Sequence, residues 1–402
     1  MRTGYLGGML PFLFGAAAMF ATMYSTQAIL PELGRAFHVS PSASGLTISV
    51  LIVSLAIGAW FWGPLSDRIG RRRSLILASG FLVVPSMAVA LAPTFPVLLL
   101  LRSLQGFCMP GLLTVGVPYI AEVYQPRVGA RAMGLYLTAL AAGGLVGRVG
   151  PALIADATNW RVGLGVLSLL PLVATLSMRA SLPPEAITGG TAVRPDRGAI
   201  RALVRNPALV GATAAGCSLF FGFVSAFSYV DYRLERPPFS LDPSLASLIF
   251  VFWIFAGIGP TAGRVAGAIG WRRVTGGGIV LSAIGLLISL APSVPLLALG
   301  LGLFAFANFS AVTGTQLGVG AATVQDRGVA SAIYYSAYYT AGALGGYVPG
   351  LAWQAWGWVG VVALAVGSLA LGLAALLATA RHVRDARVAS APTQTVAPTA
   401  SE

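Results

Sequence analysis

The chain has 402 residues, of which 56% are hydrophobic and only 9% charged. A water-soluble globular domain carries about 25% charged residues, so water is excluded as the main solvent of this chain. The net charge of +13 comes entirely from arginine, and where those arginines fall decides whether it points to nucleic acid or to a membrane.

Apolar stretches of about 20 residues, each long enough to cross roughly 30 Å of hydrocarbon, recur from end to end. Twelve spans are predicted. The first, residues 9 to 30, follows Met1 and Arg2 and offers Ala16 and Ala18 as small residues beside a cleavage site. Its apolar stretch is too long for a signal peptide, so an uncleaved helix is expected. It carries Tyr24 and Gln27, with Glu32 near its end. Span two, 43 to 63, runs into Gly63-Pro64-Leu65-Ser66-Asp67-Arg68-Ile69-Gly70-Arg71-Arg72-Arg73. A tight turn uses glycine, and an aspartate among arginines forms charge-assisted bonds and approaches the positive N-terminus of a neighbouring helix. Gly63, Asp67, Arg68, Gly70, Arg71 and Arg72 are therefore candidates for a conformational latch, against the plainer reading of a solvated basic loop.

Span three, 74 to 91, is followed by span four, 96 to 118, which holds Arg102, Gln105 and Cys108. Span five, 132 to 153, holds Gly143, Gly147, Arg148, Gly150 and Pro151. A charge inside a span costs about 2.5 to 3.5 kcal/mol on insertion scales, so Arg102 and Arg148 demand partners or a wet cavity. Arg102 has backbone or Glu32 within reach, and Arg148 can snorkel outward. Small residues four apart permit close helix packing, and Pro151 is expected to bend or end its span. Span six covers 161 to 179.

A polar stretch, 180 to 207, rich in Pro, Gly and Arg, reads as a linker between bundles 1–179 and 208–380. The second bundle has spans at 208 to 230, 244 to 262, 274 to 291, 295 to 316, 329 to 350 and 358 to 379, with Cys217 and Asp231 at the first of them. Asn308 and Gln316 lie in span ten, and Tyr334, Tyr335, Tyr338 and Tyr339 in span eleven. Only one of the two tyrosine pairs can face a cavity. Residues 381–402 read as a disordered tail. The two cysteines lie inside apolar spans and the two histidines in loops, so no disulfide, metal site or cofactor is expected.

The halves repeat. Gly63-Pro64 recurs as Gly259-Pro260, which sets Gly263 opposite Asp67, and Tyr136, Gly144, Gly147 and Trp160 recur as Tyr334, Gly342, Gly345 and Trp358. A repeat near half the chain with an even number of spans in each half requires one shared orientation, about an axis along the membrane normal.

With the N-terminus inside, only Arg35, Arg161, Arg233 and Arg236 face outward, and Arg102 and Arg148 lie within spans; the rest of the 25 fall on the cytoplasmic side. This is the positive-inside pattern, with both termini cytoplasmic. Nucleic acid is not implied.

Gly63 to Arg72 resembles G-x-L-x-D-x-x-G-R-[RK], the signature loop of the major facilitator superfamily. Arg102-Ser103-Leu104-Gln105-Gly106 is similar to the R-x-x-Q-G element of proton-coupled drug exporters, and Gly143 to Pro151 to the antiporter element, departing from it at Arg148. Tyr24-Ser25-Thr26-Gln27 ahead of Pro31, Trp160-Arg161, and Tyr232-Arg233-Leu234 with Pro237-Pro238-Phe239 resemble the bacterial drug and sugar efflux branch. The resemblance covers nearly the whole chain. It implies an all-α membrane protein, a monomer of the bacterial inner membrane, with twelve helices in two related bundles. It further implies a non-enzymatic exporter of small amphipathic or sugar-like molecules, coupled to protons. Tyr24, Gln27, Arg102, Gln105, Asn308, Tyr335 and Tyr339 are the expected cavity residues.

No Asp or Glu falls in the middle of a span, which leaves Glu32, Asp67 and Asp231 as candidates for proton coupling. Two in-span arginines without a mid-span acid also fit an organic-anion carrier, for which the discriminator is whether Arg102 faces the cavity. A sensor that kept the transporter fold is a rival of another class. An intramembrane enzyme is disfavoured, since the spans hold no histidine and no His-Glu-x-x-His.

Overall fold

The computed structural model describes residues 2–124, 126–183, 197–323 and 327–389, and among these it is helical with no strand. The centre of the expected linker and the end of the expected tail lie outside the described residues. The spans are α1 Met9–Phe37, α2 Pro41–Ile69, α3 Arg71–Val89, α4 Phe95–Val123, α5 Arg131–Ala157, α6 Trp160–Ser181, α7 Pro207–Leu234, α8 Pro243–Ile269, α9 Trp271–Ile288 and α10 Val294–Ala322. The last apolar helix, Gly328–Ala380, is broken at Gly357, whose φ of 57° and ψ of −143° no helix contains. It therefore makes two passes, α11 (328–356) and α12 (358–380), and the chain crosses twelve times.

Several helices are interrupted. α1 passes through a turn at Tyr24 to Ile29, α4 is broken at Met109 ahead of Pro110, and α8 winds as a tight 3-10 helix over Leu248–Ile258. α5, by contrast, continues through Pro151 to Ala157, so that proline does not end the span. The last helix runs past Arg381 to Ala389, so residues 381–389 are helical where composition pointed to a disordered tail.

The two halves share a turn that fixes the register of their repeat. Gly70 and Gly270 both have φ of 93° and lie between α2 and α3 and between α8 and α9. This left-handed φ favours a residue without Cβ. Matching these glycines places Asp67 opposite Gly267 instead of Gly263, one helical turn from the register that the Gly-Pro pairs suggest. Either way the second copy has no acid.

Within each half the helices pack tightly, α1 on α5 and α2 on α4, and α9 on α10. Gly143 and Gly147 lie so close to Ala17 and Ala21 that a Cβ would overlap their carbonyls, whereas Gly150 faces open space. Gly150 is therefore not part of that packing. The outside is apolar: Trp60, Val84, Trp356 and Leu371 are each at least 70% exposed, which only a hydrocarbon solvent tolerates over a whole surface.

Across the halves α2 packs on α11, and α5 on α8. The contacts gather at one end. Ser44 Oγ and Tyr232 OH are 3.0 Å apart, and Ser49 Oγ donates to the Ala343 carbonyl at 2.6 Å. Tyr229 OH donates to the Gly346 carbonyl at 2.6 Å, and Gln354 to Ser42 Oγ at 2.7 Å. Arg35 closes the row with an ion pair to Glu235 at 2.8 Å. All these residues lie toward the end that bears the loops 38–40 and 235–242.

Candidate functional site

At the other end, Asp67 binds within its own half. Its partner is Arg71, at 2.6 Å, four residues along the chain, and Arg71 also reaches Glu122 at 3.2 Å and Ser66 Oγ at 2.5 Å. Arg72 donates to the carbonyls of Leu182 and Arg179, tying the loop to the end of α6. Arg68 is exposed. Gly63 meets nothing within 4 Å where a Cβ would stand. The Arg327 side chain, near the expected partner of Asp67 at the start of α11, lies outside the described residues.

The two in-span arginines have opposite environments. Arg102 was expected in the cavity and instead is fully buried in the first half. Its Nε donates to the Thr47 carbonyl, Nη1 to the Thr22 carbonyl, Ser25 Oγ and Gln105 Oε1, and Nη2 to the Met23 carbonyl, at 2.7 to 3.2 Å. Gln105 passes the network on to Ser86. The turn in α1 supplies two of these carbonyls, those of Thr22 and Met23, because a helix interrupted at Tyr24 leaves acceptors open at its end, and α2 supplies the third, that of Thr47. Arg102 has no contact with Glu32, whose Oε1 accepts from the Trp160 backbone N–H at 2.9 Å and so caps the start of α6.

Arg148, for which snorkelling outward was one expectation, does not reach the interface. It is fully buried at the meeting of the two halves. Its guanidinium lies 3.7 Å from the ring centre of Tyr24 on α1 and 3.9 Å from that of Trp253 on α8, a cation held between two aromatic faces. Nε donates to Gln27 Oε1 and Nη1 to the Gly144 carbonyl, both at 2.7 Å; Nη2 has no acceptor. Gln27 completes the bridge by donating to Ser228 Oγ on α7 at 3.0 Å. One turn beyond Ser228 stands Asp231, which is 1% exposed, and neither of its carboxyl oxygens has a hydrogen-bond partner. Sequence reading placed Asp231 near the span end but did not foresee its burial. It missed Trp253 altogether, although a tryptophan ten residues into a span is far from the interface this residue prefers.

Beside this junction lies a wall of aromatic rings. Tyr335 is 39% exposed, Tyr338 and Tyr339 are partly so, and Tyr334 is buried with its hydroxyl against Thr315 at 2.8 Å. Phe220 stacks on Tyr338 with ring centres 4.2 Å apart; Phe309 meets Trp253, and Phe20 meets Tyr24. Gln316 reaches the Tyr335 hydroxyl. Asn308, expected to line this space, is 2% exposed and donates to the Leu219 carbonyl, which joins α10 to α7. Tyr24, Gln27 and Gln105 are likewise buried. Of the expected cavity residues only Tyr335 and Tyr339 present open surface. Among the described residues no group of His, Cys, Asp and Glu has the arrangement of a metal site.

At the end where the halves meet, Pro31, Gly34, Arg35, Tyr232, Glu235 and Arg236 line a small cleft. Burial raises the pKa of Glu235 above the ordinary glutamate value, and Arg35 pulls it partly back.

Twelve apolar passes in two repeated bundles, meeting through α2–α11 and α5–α8 around a buried polar junction, have the layout of a membrane transporter built from two related halves. A sequence profile of the Major Facilitator Superfamily matches residues 12–259, and the chain belongs to that family. It is 31% identical to the inner membrane transport protein YnfM of Escherichia coli (strain K12) over 92% of this chain and 90% of the relative. It is 29% identical to an uncharacterized MFS-type transporter, YybF, of Bacillus subtilis (strain 168), over 94% and 95%. The fold is that of a bacterial homologue of the human lysosomal transporter Spinster, with a TM-score of 0.76 at 14% identity over 97% of this chain and 98% of that one. The nucleoside transporter NupG, at a TM-score of 0.74 and 13% identity, covers 92% of this chain and 99% of its own. The protein is a membrane transporter and not an enzyme.

Proposed function

We propose that this transporter exports small amphipathic or sugar-like organic molecules from the bacterial cytoplasm by rocking its two halves, in exchange for protons. It works in the inner membrane as a monomer with both termini cytoplasmic. The arginine distribution supports that orientation, in which the end where the halves touch is periplasmic and the Asp67 end is cytoplasmic. The observation that carries the reading is the one-sided row of contacts from Arg35–Glu235 to Ser49–Ala343. Contacts made in one state only are what a rocking mechanism exchanges, and here they belong to a state closed at the periplasmic end.

The tyrosines and phenylalanines beside the junction suit molecules with one apolar face and a few polar groups. An anion carrier using Arg102 is disfavoured, since each of the three guanidinium nitrogens of that residue is already engaged; of the pair Arg102 and Arg148, Arg148 Nη2 remains for that role. Proteoliposome transport of a panel of amphipathic dyes, sugars and organic acids, with and without an imposed pH gradient, tests the reading. Accumulation of dyes or sugars only with the gradient is expected. Gradient-independent movement, or a panel in which only anions move, overturns it.

A further inference from the structure

Three carboxylates are candidates for proton coupling, and their surroundings separate them. Glu32 is committed to the backbone of Trp160. Asp67 pairs with Arg71 at a partly exposed site. Asp231 alone is enclosed with both oxygens unsatisfied, and a buried group without a partner needs an explanation. Arg148, also enclosed, keeps one unused guanidinium nitrogen and lies within electrostatic reach of Asp231 without forming an ion pair.

We propose that Asp231 is the proton-carrying group and that Arg148 alternates between two places, the aromatic cleft of Tyr24 and Trp253 and the carboxylate of Asp231. The inference rests on the proton-coupled reading above. In the state described here the guanidinium occupies the cleft, and Asp231 holds its proton because a lone buried carboxylate would cost several kcal/mol. When Arg148 leaves the cleft, the carboxyl gives its proton to water and the resulting carboxylate pairs with the guanidinium. When the guanidinium returns, the carboxylate takes a proton up again.

The cleft explains how substrate enters this exchange. A cation is attracted to the faces of aromatic rings, and an amphipathic molecule carrying a ring or a positive charge competes for the same two faces. Tyr24 and Trp253 are in ring contact with Phe20, Phe309 and Phe223, of which Phe20 and Phe309 are partly exposed, so a molecule bound on those rings lies beside the cleft. Substrate in the cleft and a proton on Asp231 are then alternatives, which is the rule of an antiporter.

Few other groups compete for this role. The charged groups in electrostatic reach of Asp231 are Arg148 from α5 and Glu235 from the end of its own helix. α1 contributes Glu32, Arg35 and the phenol of Tyr24, and the phenols of Tyr229, Tyr232 and Tyr347 lie near the same end of α7 and α11. The spans of α10, α11 and α12 contain no charged residue.

Infrared difference spectroscopy of the full-length protein in liposomes tests the proposal without a substrate, by following the C=O stretch of a protonated buried carboxyl from about pH 5 to 9, around and above the ordinary carboxylate range. Measured in a Glu235→Gln background, which removes a second carboxyl whose pKa burial raises at this end, the protein should show one such band that disappears as pH rises. Asp231→Asn should lack it. Arg148→Gln should keep it at the alkaline end where the parent protein has lost it, because the carboxylate then has no cation to join. A titrating band that survives in Asp231→Asn overturns the assignment while leaving proton coupling in place. No titrating band in any of the proteins overturns both. An Arg148→Gln titration like that of the parent protein removes the arginine from the exchange. Should Asp231→Asn fail to accumulate, Asp231→Glu serves instead, and a band unmoved by the longer side chain also counts against the site.

Discussion

The crossing of α2 and α11 offers the sharpest test of the rocking halves. Gly45 on α2 packs against Gly346 on α11, and a Cβ at residue 45 would overlap the Gly346 carbonyl and stand 2.5 Å from the Tyr229 hydroxyl. Gly45→Ala therefore forces the halves apart at this end. Overpacking costs about 1 to 3 kcal/mol, and the displaced Tyr229 hydrogen bond adds about 0.5 to 1.5 kcal/mol. The sum, about 1.5 to 4.5 kcal/mol, falls on the state with this end closed. At about 1.4 kcal/mol per factor of ten, populations should move toward the opposite state by about tenfold or more. The folding of each half should survive, because the collision lies between halves. Cysteines at Ala36 and Asp242, both exposed and one in each half, carry labels whose separation reports this end. Gly263→Ala, which meets nothing within 4 Å, is the matched control. An unchanged distance distribution in well-folded Gly45→Ala protein would refute the reasoning.

Other outcomes follow from the same contacts. Asp67→Asn should favour the state open at the Asp67 end and slow net transport; because the Arg71 pair seen here offsets part of the loss, the shift should be nearer fivefold, about 1 kcal/mol, and identical label distances across the cytoplasmic mouth would count against a latch. Arg102→Met should lower thermal stability and yield far more than it alters coupling, since it removes a buried hydrogen-bond network and leaves Gln105 Oε1 and the Met23 carbonyl without the donor seen here, at about 1 to 3 kcal/mol each; a variant with wild-type melting would show these bonds to be dispensable. Glu235 has its pKa raised mainly by burial between the halves, so the closed end binds its proton more tightly than an open end does. Closure there should be strongest at low pH and weaken as pH rises past the raised value. Glu235→Gln should abolish that dependence in the Ala36 and Asp242 label distances, and a pH response unchanged by the substitution would assign it elsewhere.

Twelve passes, a repeat in one orientation and the signature loop were legible in the sequence, because apolar length, glycine spacing and arginine distribution are local or summed properties that survive without a structure. The loop motif pointed to a tight turn at a glycine, and the structure puts that turn at Gly70, where φ is 93°, and keeps Gly63 inside a helix. The fates of Arg102 and Arg148 were not legible. Both are arginines within apolar spans, and their costs in a one-dimensional reading are the same. Only the assembled bundle decides that the turn in α1 presents its carbonyls to one of them and that α1 and α8 close aromatic faces on the other. The burial of Asp231 is decided in the same way: three residues from the end of its helix it reads as interfacial, and the packing of one half on the other removes it from water.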